Sequence, residues 1–94
     1  MKNQKNGEKM KNKLPKWFNG EHYSRGDTVN NPFSGEEFYL NRTELSMYDF
    51  IKGAEFVIGM NRGDVQTSEI VDDMRKGLDW FRKNNAEAYM TLLD

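Results

Sequence analysis

The chain is predicted to be α+β: an N-terminal β-hairpin packed on two longer helices, plus a short C-terminal helix. Three observations lead there. Between Glu21 and Leu40, the β-favouring runs Thr28-Val29 and Phe38-Tyr39-Leu40 flank a stretch of turn-forming residues. Beyond Asn41, apolar residues recur at helical spacing in two blocks parted by Gly59, Asn61 and Gly63. A third, shorter block from Ala86 to Leu93 follows a break at Asn84-Asn85.

Taken in order, residues 1–13 hold Lys, Asn, Gln, Gly and Glu with two Met and no periodicity. Such a composition does not offset the entropy of ordering and predicts a disordered basic tail. A single domain is expected over 14–94, entered through Leu14-Pro15-Lys16-Trp17-Phe18, where Pro15 favours extended backbone. Asn19-Gly20 signals a turn. The hairpin is placed at 27–41, with Asn30-Asn31-Pro32-Phe33-Ser34-Gly35 as a loop longer than two residues. Pro presets the φ of a turn's first central position and Gly supplies positive φ. An isolated hairpin is marginal in water, so it must lean on the helices. Trp17, Phe18, Tyr23, Phe33 and Phe38 are the aromatic residues available to glue it there.

Asn41-Arg42-Thr43-Glu44 reads as a helix start, with Asn41 capping and Glu44 reaching back, or with Thr43 capping one turn later. That first helix runs to about Gly59. Gly53 within it costs about 1 kcal/mol relative to Ala, an expense that suggests close approach of another backbone. Met47, Phe50, Ile51, Ala54, Val57 and Ile58 share one broad stripe, while Leu45, Tyr48 and Phe56 fall opposite. A helix apolar on two sides is packed between two things. The hairpin is one candidate cover for the second side, and a partner protein is the other. Asp64 or Thr67 starts the second helix, roughly 67–84, whose core stripe is Ile70, Val71, Met74, Leu78 and Phe81. Trp80 lies off that stripe. Tyr89, Leu92 and Leu93 anchor the third helix.

Apolar residues make up 36% of the 94 and charged ones 31%, so the core must be small and aromatic-dependent. No cysteine is present, which excludes disulfides and thiolate metal sites. No run reaches the roughly 18 apolar residues of a membrane span, and the basic N-terminus lacks the apolar core of a secretory signal. The expectation is a cytoplasmic protein with no membrane contact. The net charge of −1 conceals an asymmetry: six Lys against Glu8 in residues 1–16, then eight Lys and Arg against fourteen Asp and Glu. A basic tail thus precedes an acidic body.

No constellation of catalytic residues emerges. His22 is the single histidine and has Glu21 beside it, but no nucleophile or second ligand is near in sequence. It reads as ordinary surface. The pairs Glu36-Glu37 and Asp72-Asp73 point in different directions within any regular element, and Asp64 to Asp73 lacks the spacing of a calcium loop. Gly59-Met60-Asn61-Arg62-Gly63 lacks the Lys-Ser/Thr ending of a phosphate-binding loop. Arg25-Gly26-Asp27 and the sequon Asn41-Arg42-Thr43 carry no meaning without secretion. No enzyme activity, cofactor or metal is expected.

Two features remain. The tail lysines Lys2, Lys5, Lys9, Lys11, Lys13 and Lys16 can neutralise phosphates, although no Arg joins them and the acidic body repels nucleic acid. The apolar excess at Trp80, Tyr48, Phe56 and Leu45 suits a protein interface, where aromatic residues are enriched.

Two stretches carry a family likeness. Asn31-Pro32-Phe33-Ser34-Gly35-Glu36, with Leu40-Asn41 and Tyr48-Asp49-Phe50-Ile51-Lys52-Gly53, is one. Gly77-Leu78-Asp79-Trp80-Phe81-Arg82-Lys83, with Tyr89-Met90 and Leu92-Leu93-Asp94, is the other. Together they resemble small uncharacterised proteins of tailed bacteriophages, including phages of marine bacteria. The likeness spans about 14–94 and brings no activity, ligand or site with it. It implies a phage accessory protein in the cytoplasm of the infected host or in the virion. The expected function is therefore a protein-interaction module that binds a host or phage protein or self-associates. Nucleic-acid association through the Lys tail is the second reading.

Overall fold

The hairpin forms where the turn residues place it. In the computed structural model, which describes residues 13–60 and 67–93, strand β1 (Asp27–Asn30) pairs antiparallel with β2 (Glu37–Leu40). Val29 faces Phe38 across the pair, and Thr28 faces Tyr39. Because side chains alternate along a strand, Val29, Phe38 and Leu40 turn inward and Tyr39 turns to solvent. Gly35, with φ of 81°, takes the left-handed position that closes the loop.

Leaving β2, the chain passes through Asn41 into helix α1 (Arg42–Met60). Asn41 is the cap: its Oδ1 accepts from Glu44 N at 2.8 Å, and Glu44 Oε1 accepts from Asn41 N at 3.1 Å. Of the two starts open in the sequence, this reciprocal capping box is the one realised. Met47, Ile51 and Ala54 of α1 are buried. They meet α2 (Thr67–Asn84), which contributes the fully buried Phe81 together with Met74 and Leu78. Asn85 then caps α3 (Ala86–Leu92), its Oδ1 accepting from Ala88 N at 3.1 Å. Ala88 and Leu92 of α3 complete the core.

The expectation for Gly53 is corrected here. A Cβ placed on Gly53 would meet nothing within 4 Å, so no backbone approaches it. Of the helical glycines described, Gly77 is the one in tight contact: a Cβ there would lie 3.0 Å from Ile51 Cγ1 and 3.3 Å from Met47 Sδ. The two long helices therefore pack where α2 lacks a side chain.

The second side of α1 is only partly covered: Leu45 and Tyr48 are half-buried against the core, whereas Phe56 is exposed. The hairpin leans through β2 on α3 more than on α1. A non-helical strap, residues 13–26, lies against the first stripe of α1, at Phe50. Phe18 is buried, with its ring 5.3 Å from that of Phe50, and the Trp17 ring lies 5.9 Å from Phe50. Tyr23 N donates to the buried Ser46 Oγ at 3.0 Å, while that hydroxyl donates to Arg42 O at 2.8 Å. The strap also reaches α2, where Lys76 Nζ stands 5.2 Å from the Trp17 ring centre. Asn61, Gly63, Asp64 and most of the basic tail lie outside the described residues.

Candidate interaction surface

The four residues singled out for an interface differ in their exposure. Leu45 and Tyr48 are half-buried against the core, as is Trp80 on α2. Trp80 packs edge-on against Phe81 at 5.9 Å, and its indole Nε1 donates to Lys13 O at 3.0 Å. That bond holds the chain one residue ahead of Leu14, the expected start of the domain. Phe56 alone stands out in solvent, 68% exposed, with Met60 one turn further at 69%.

Among the described residues, the most exposed large apolar one is different. Phe33 is 96% exposed, and so contributes nothing as glue for the hairpin. Phe38, on β2, packs against the core, while Trp17 and Phe18 pack on Phe50. Yet Phe33 stands on a built loop rather than a loose one. Asn31 Oδ1 accepts from Phe33 N at 2.8 Å and from Ser34 N at 3.3 Å. Asn31 O accepts from Gly35 N at 2.8 Å, and Asn31 N donates to Glu36 O at 2.8 Å. Asn31 Nδ2 donates to Thr91 O on α3 at 2.9 Å, tying the loop to the body. Ser34 Oγ accepts from Glu36 N at 3.2 Å. The sequence carried a signal for this placement, since a residue between Pro32 and Gly35 sits at the apex of a reversal. An aromatic side chain there has no layer beneath it.

At the other end of the hairpin the strap leaves two hollows that share Tyr23. The larger, about 570 Å³, is lined by Tyr23, Ser24, Arg25, Gly26, Asp27 and Leu45. The smaller, about 300 Å³, is lined by Leu14, His22, Tyr23, Arg42, Thr43 and Ser46. His22 therefore faces an arginine and hydroxyls, with no carboxylate in that lining. Among the described residues, no three His, Asp or Glu side chains gather closely enough to hold a metal ion. Desolvation, and after it the Asp49 carboxylate, hold the Tyr23 phenol above its ordinary pKa.

Electrostatics divide the surface. On α2, Asp79 accepts from Arg82 at 2.6 Å and pairs with Lys83 at 3.1 Å. The Lys83 hydrogen bond foremost keeps that carboxyl below its usual range. Lys52 pairs with Glu55 and Lys76 with Asp73. Arg25 and Arg42 make no ion pair among the described residues. From Asp27 to Leu40 the hairpin carries Asp27, Glu36 and Glu37 and no Lys or Arg.

Of the Lys-rich tail, Lys13 and Lys16 are exposed, whereas Lys2, Lys5, Lys9 and Lys11 lie outside the described residues. Trp17, the aromatic nearest the tail, is engaged by Phe50 and Lys76. No helix among the described residues is long and apolar enough to cross a membrane. Compared with protein-family models, curated proteins and solved structures, the chain matches none.

Proposed function

We propose that this chain is a non-enzymatic protein-interaction module that uses the hairpin tip as its anchor. It would serve as a phage accessory protein in the infected cell or the virion, binding another protein or a second copy of itself. The phage assignment is supported by the resemblance of the Asn31–Gly53 and Gly77–Asp94 stretches described above. The interaction reading is supported above all by Phe33. A phenyl ring left in water forgoes the roughly 1.5–3 kcal/mol that burial supplies, and here its backbone is fixed by hydrogen bonds to Asn31 Oδ1 and within the loop. An exposed aromatic group that serves no packing purpose, on an ordered loop, suits an interface anchor, where preordering of the backbone lowers the cost of association.

The reading is tested by capture from a bacterial lysate with wild-type and Phe33→Ala baits of matched circular dichroism and Tm. A defined partner, or the chain itself, retained by wild type and lost by Phe33→Ala supports it. Identical captured sets, with both baits monomeric, would remove Phe33 from any binding role.

A further inference from the structure

We infer that the partner of the hairpin tip is a cationic, amphipathic protein segment. It sets an apolar side chain against Phe33 and its Lys or Arg side chains against Glu36 and Glu37. This rests on the interaction reading above and names the chemistry of its partner.

Charge carries the first part of the inference. The hairpin and α3 form one lobe, since β2 packs on α3 and Asn31 Nδ2 donates to Thr91 O at 2.9 Å. Residues 27–40 bring Asp27, Glu36 and Glu37 to it, and residues 85–93 bring Glu87, with no Lys or Arg in either stretch. All four carboxylates are exposed, and none has an ion partner among the described residues. The long helices differ, because Glu55, Asp73 and Asp79 each pair there with a Lys or Arg of the same helix. Arg25 and Arg42 flank the base of the hairpin, which leaves its tip uncompensated. A field of this sign repels nucleic acid and anionic lipid and draws in a cationic partner.

Apolar exposure carries the second part. Among the described residues, five large apolar side chains stand exposed, and three of them, Phe33, Tyr39 and Met90, belong to this lobe. A cationic partner without apolar groups leaves them in water. An amphipathic one covers Phe33 while its charged groups reach the carboxylates that follow within the same reversal. Aromatic residues and Met are the types enriched at interface cores.

The test titrates the full chain, observed by NMR, with synthetic peptides about four helical turns long. One combines Leu with Lys at amphipathic spacing, one Leu with Glu, and one Ser with Lys. The Leu–Lys peptide should move the amides of Asn31, Phe33 and Glu36, the Ser–Lys peptide should bind roughly tenfold more weakly, and the Leu–Glu peptide not at all. Phe33→Ala at unchanged Tm should weaken Leu–Lys binding roughly tenfold. Glu36→Gln with Glu37→Gln should weaken it, and Glu36→Lys with Glu37→Lys should abolish it. Asp72, an exposed acid on α2, lies roughly 20 Å along the helix axis from Asn85. Asp72→Lys should therefore leave the affinity within about twofold. No Leu–Lys binding, equal Leu–Glu binding, or an Asp72→Lys loss as large as that at the tip overturns the inference. So does movement of the same amides by a DNA duplex, or self-association through Phe33 in sedimentation without peptide. A lysate partner held through Phe33 but indifferent to Glu36→Lys with Glu37→Lys overturns the cationic partner and leaves the interaction reading standing. Leu–Lys binding untouched by Phe33→Ala removes the anchor itself.

Discussion

Replacing Glu44 by Gln removes one charge and one acceptor from the point where β2, α1 and α3 meet. One carboxylate oxygen accepts from Asn41 N at 3.1 Å and the other from Asn85 Nδ2 at 3.0 Å, and the residue is only 5% exposed. Gln supplies the first acceptor, but its amide group then turns an N–H toward the N–H of Asn85. Asn85 cannot flip to relieve this, because its Oδ1 accepts from Ala88 N as the cap of α3. One charge-assisted hydrogen bond is lost, about 2 kcal/mol after the relief of burying a charge is credited. In a domain of this size that corresponds to a fall in Tm of roughly 8–16 °C. Asn85→Asp alone sets two carboxylates against each other and should be worse. The double variant reverses the polarity of the pair: Gln donates, Asp accepts, and Asp still caps the helix. Urea unfolding followed by circular dichroism should therefore give a favourable coupling of about 4 kcal/mol or more in the double-mutant cycle, since the double variant regains what each single variant loses. Singles that simply add, within about 0.5 kcal/mol, would show that Glu44 and Asn85 do not act as a pair.

Two further outcomes follow from contacts of the same kind. Gly53→Ala should stabilise by about 1 kcal/mol, since its Cβ enters open space on a helix. Gly26→Ala should destabilise by about 3 kcal/mol, because its Cβ would lie 2.1 Å from Leu40 O and 2.8 Å from Asn41 Cα; thermal melts that shift in the same direction for both would contradict this. The phenol of Tyr23 is held above its ordinary pKa by desolvation, then by Asp49 and Glu21, so the fold favours its neutral form. That contribution is intact below the unfolded value of about 10 and is lost as pH rises through the higher folded one. Asp49→Asn should bring Tyr23 ionisation, followed by NMR of its ring, to lower pH, and an unmoved titration would count against the contact.

The parts of the fold legible in sequence are those set by near neighbours. The capping box spans Asn41 to Glu44, and the hairpin loop is dictated by Pro32 and Gly35 within six residues of Asn30. The extents of the helices follow from periodicity and the breaks at their ends. What was not legible depends on contacts between distant residues. Gly53 and Gly77 are both helical glycines, and only the crossing of α1 with α2 decides that Gly77 is the one in contact. Trp80 lies off its helix's apolar stripe, yet the partner of its indole is Lys13, 67 residues earlier. The strap has no periodicity, so nothing local announced that Phe18 and Trp17 would cover Phe50. Phe33, expected among the aromatic residues that glue the hairpin, stands in solvent for a related reason. Aromatic residues usually find a layer to enter, and only the loop's position at the far end of the hairpin denies it one.

The strap and the hairpin pack on different parts of the body. Trp17 and Phe18 lie on Phe50 of α1, while the hairpin contributes Leu40, Phe38 and Val29 to the core. The loop beyond Asn30 adds one hydrogen bond to the body, from Asn31 to Thr91. Folding alone would be served as well by a shorter turn with no phenylalanine. The ordered network around Asn31 and the outward ring of Phe33 are the observations on which the interaction proposal rests. The same reasoning ranks the exposed residues. Phe56 and Met60 emerge from a helix whose other faces already contribute to the core, so their exposure is a by-product of α1 being long. Phe33 has no such by-product explanation, which is why the hairpin tip is the sharper place to look for a partner.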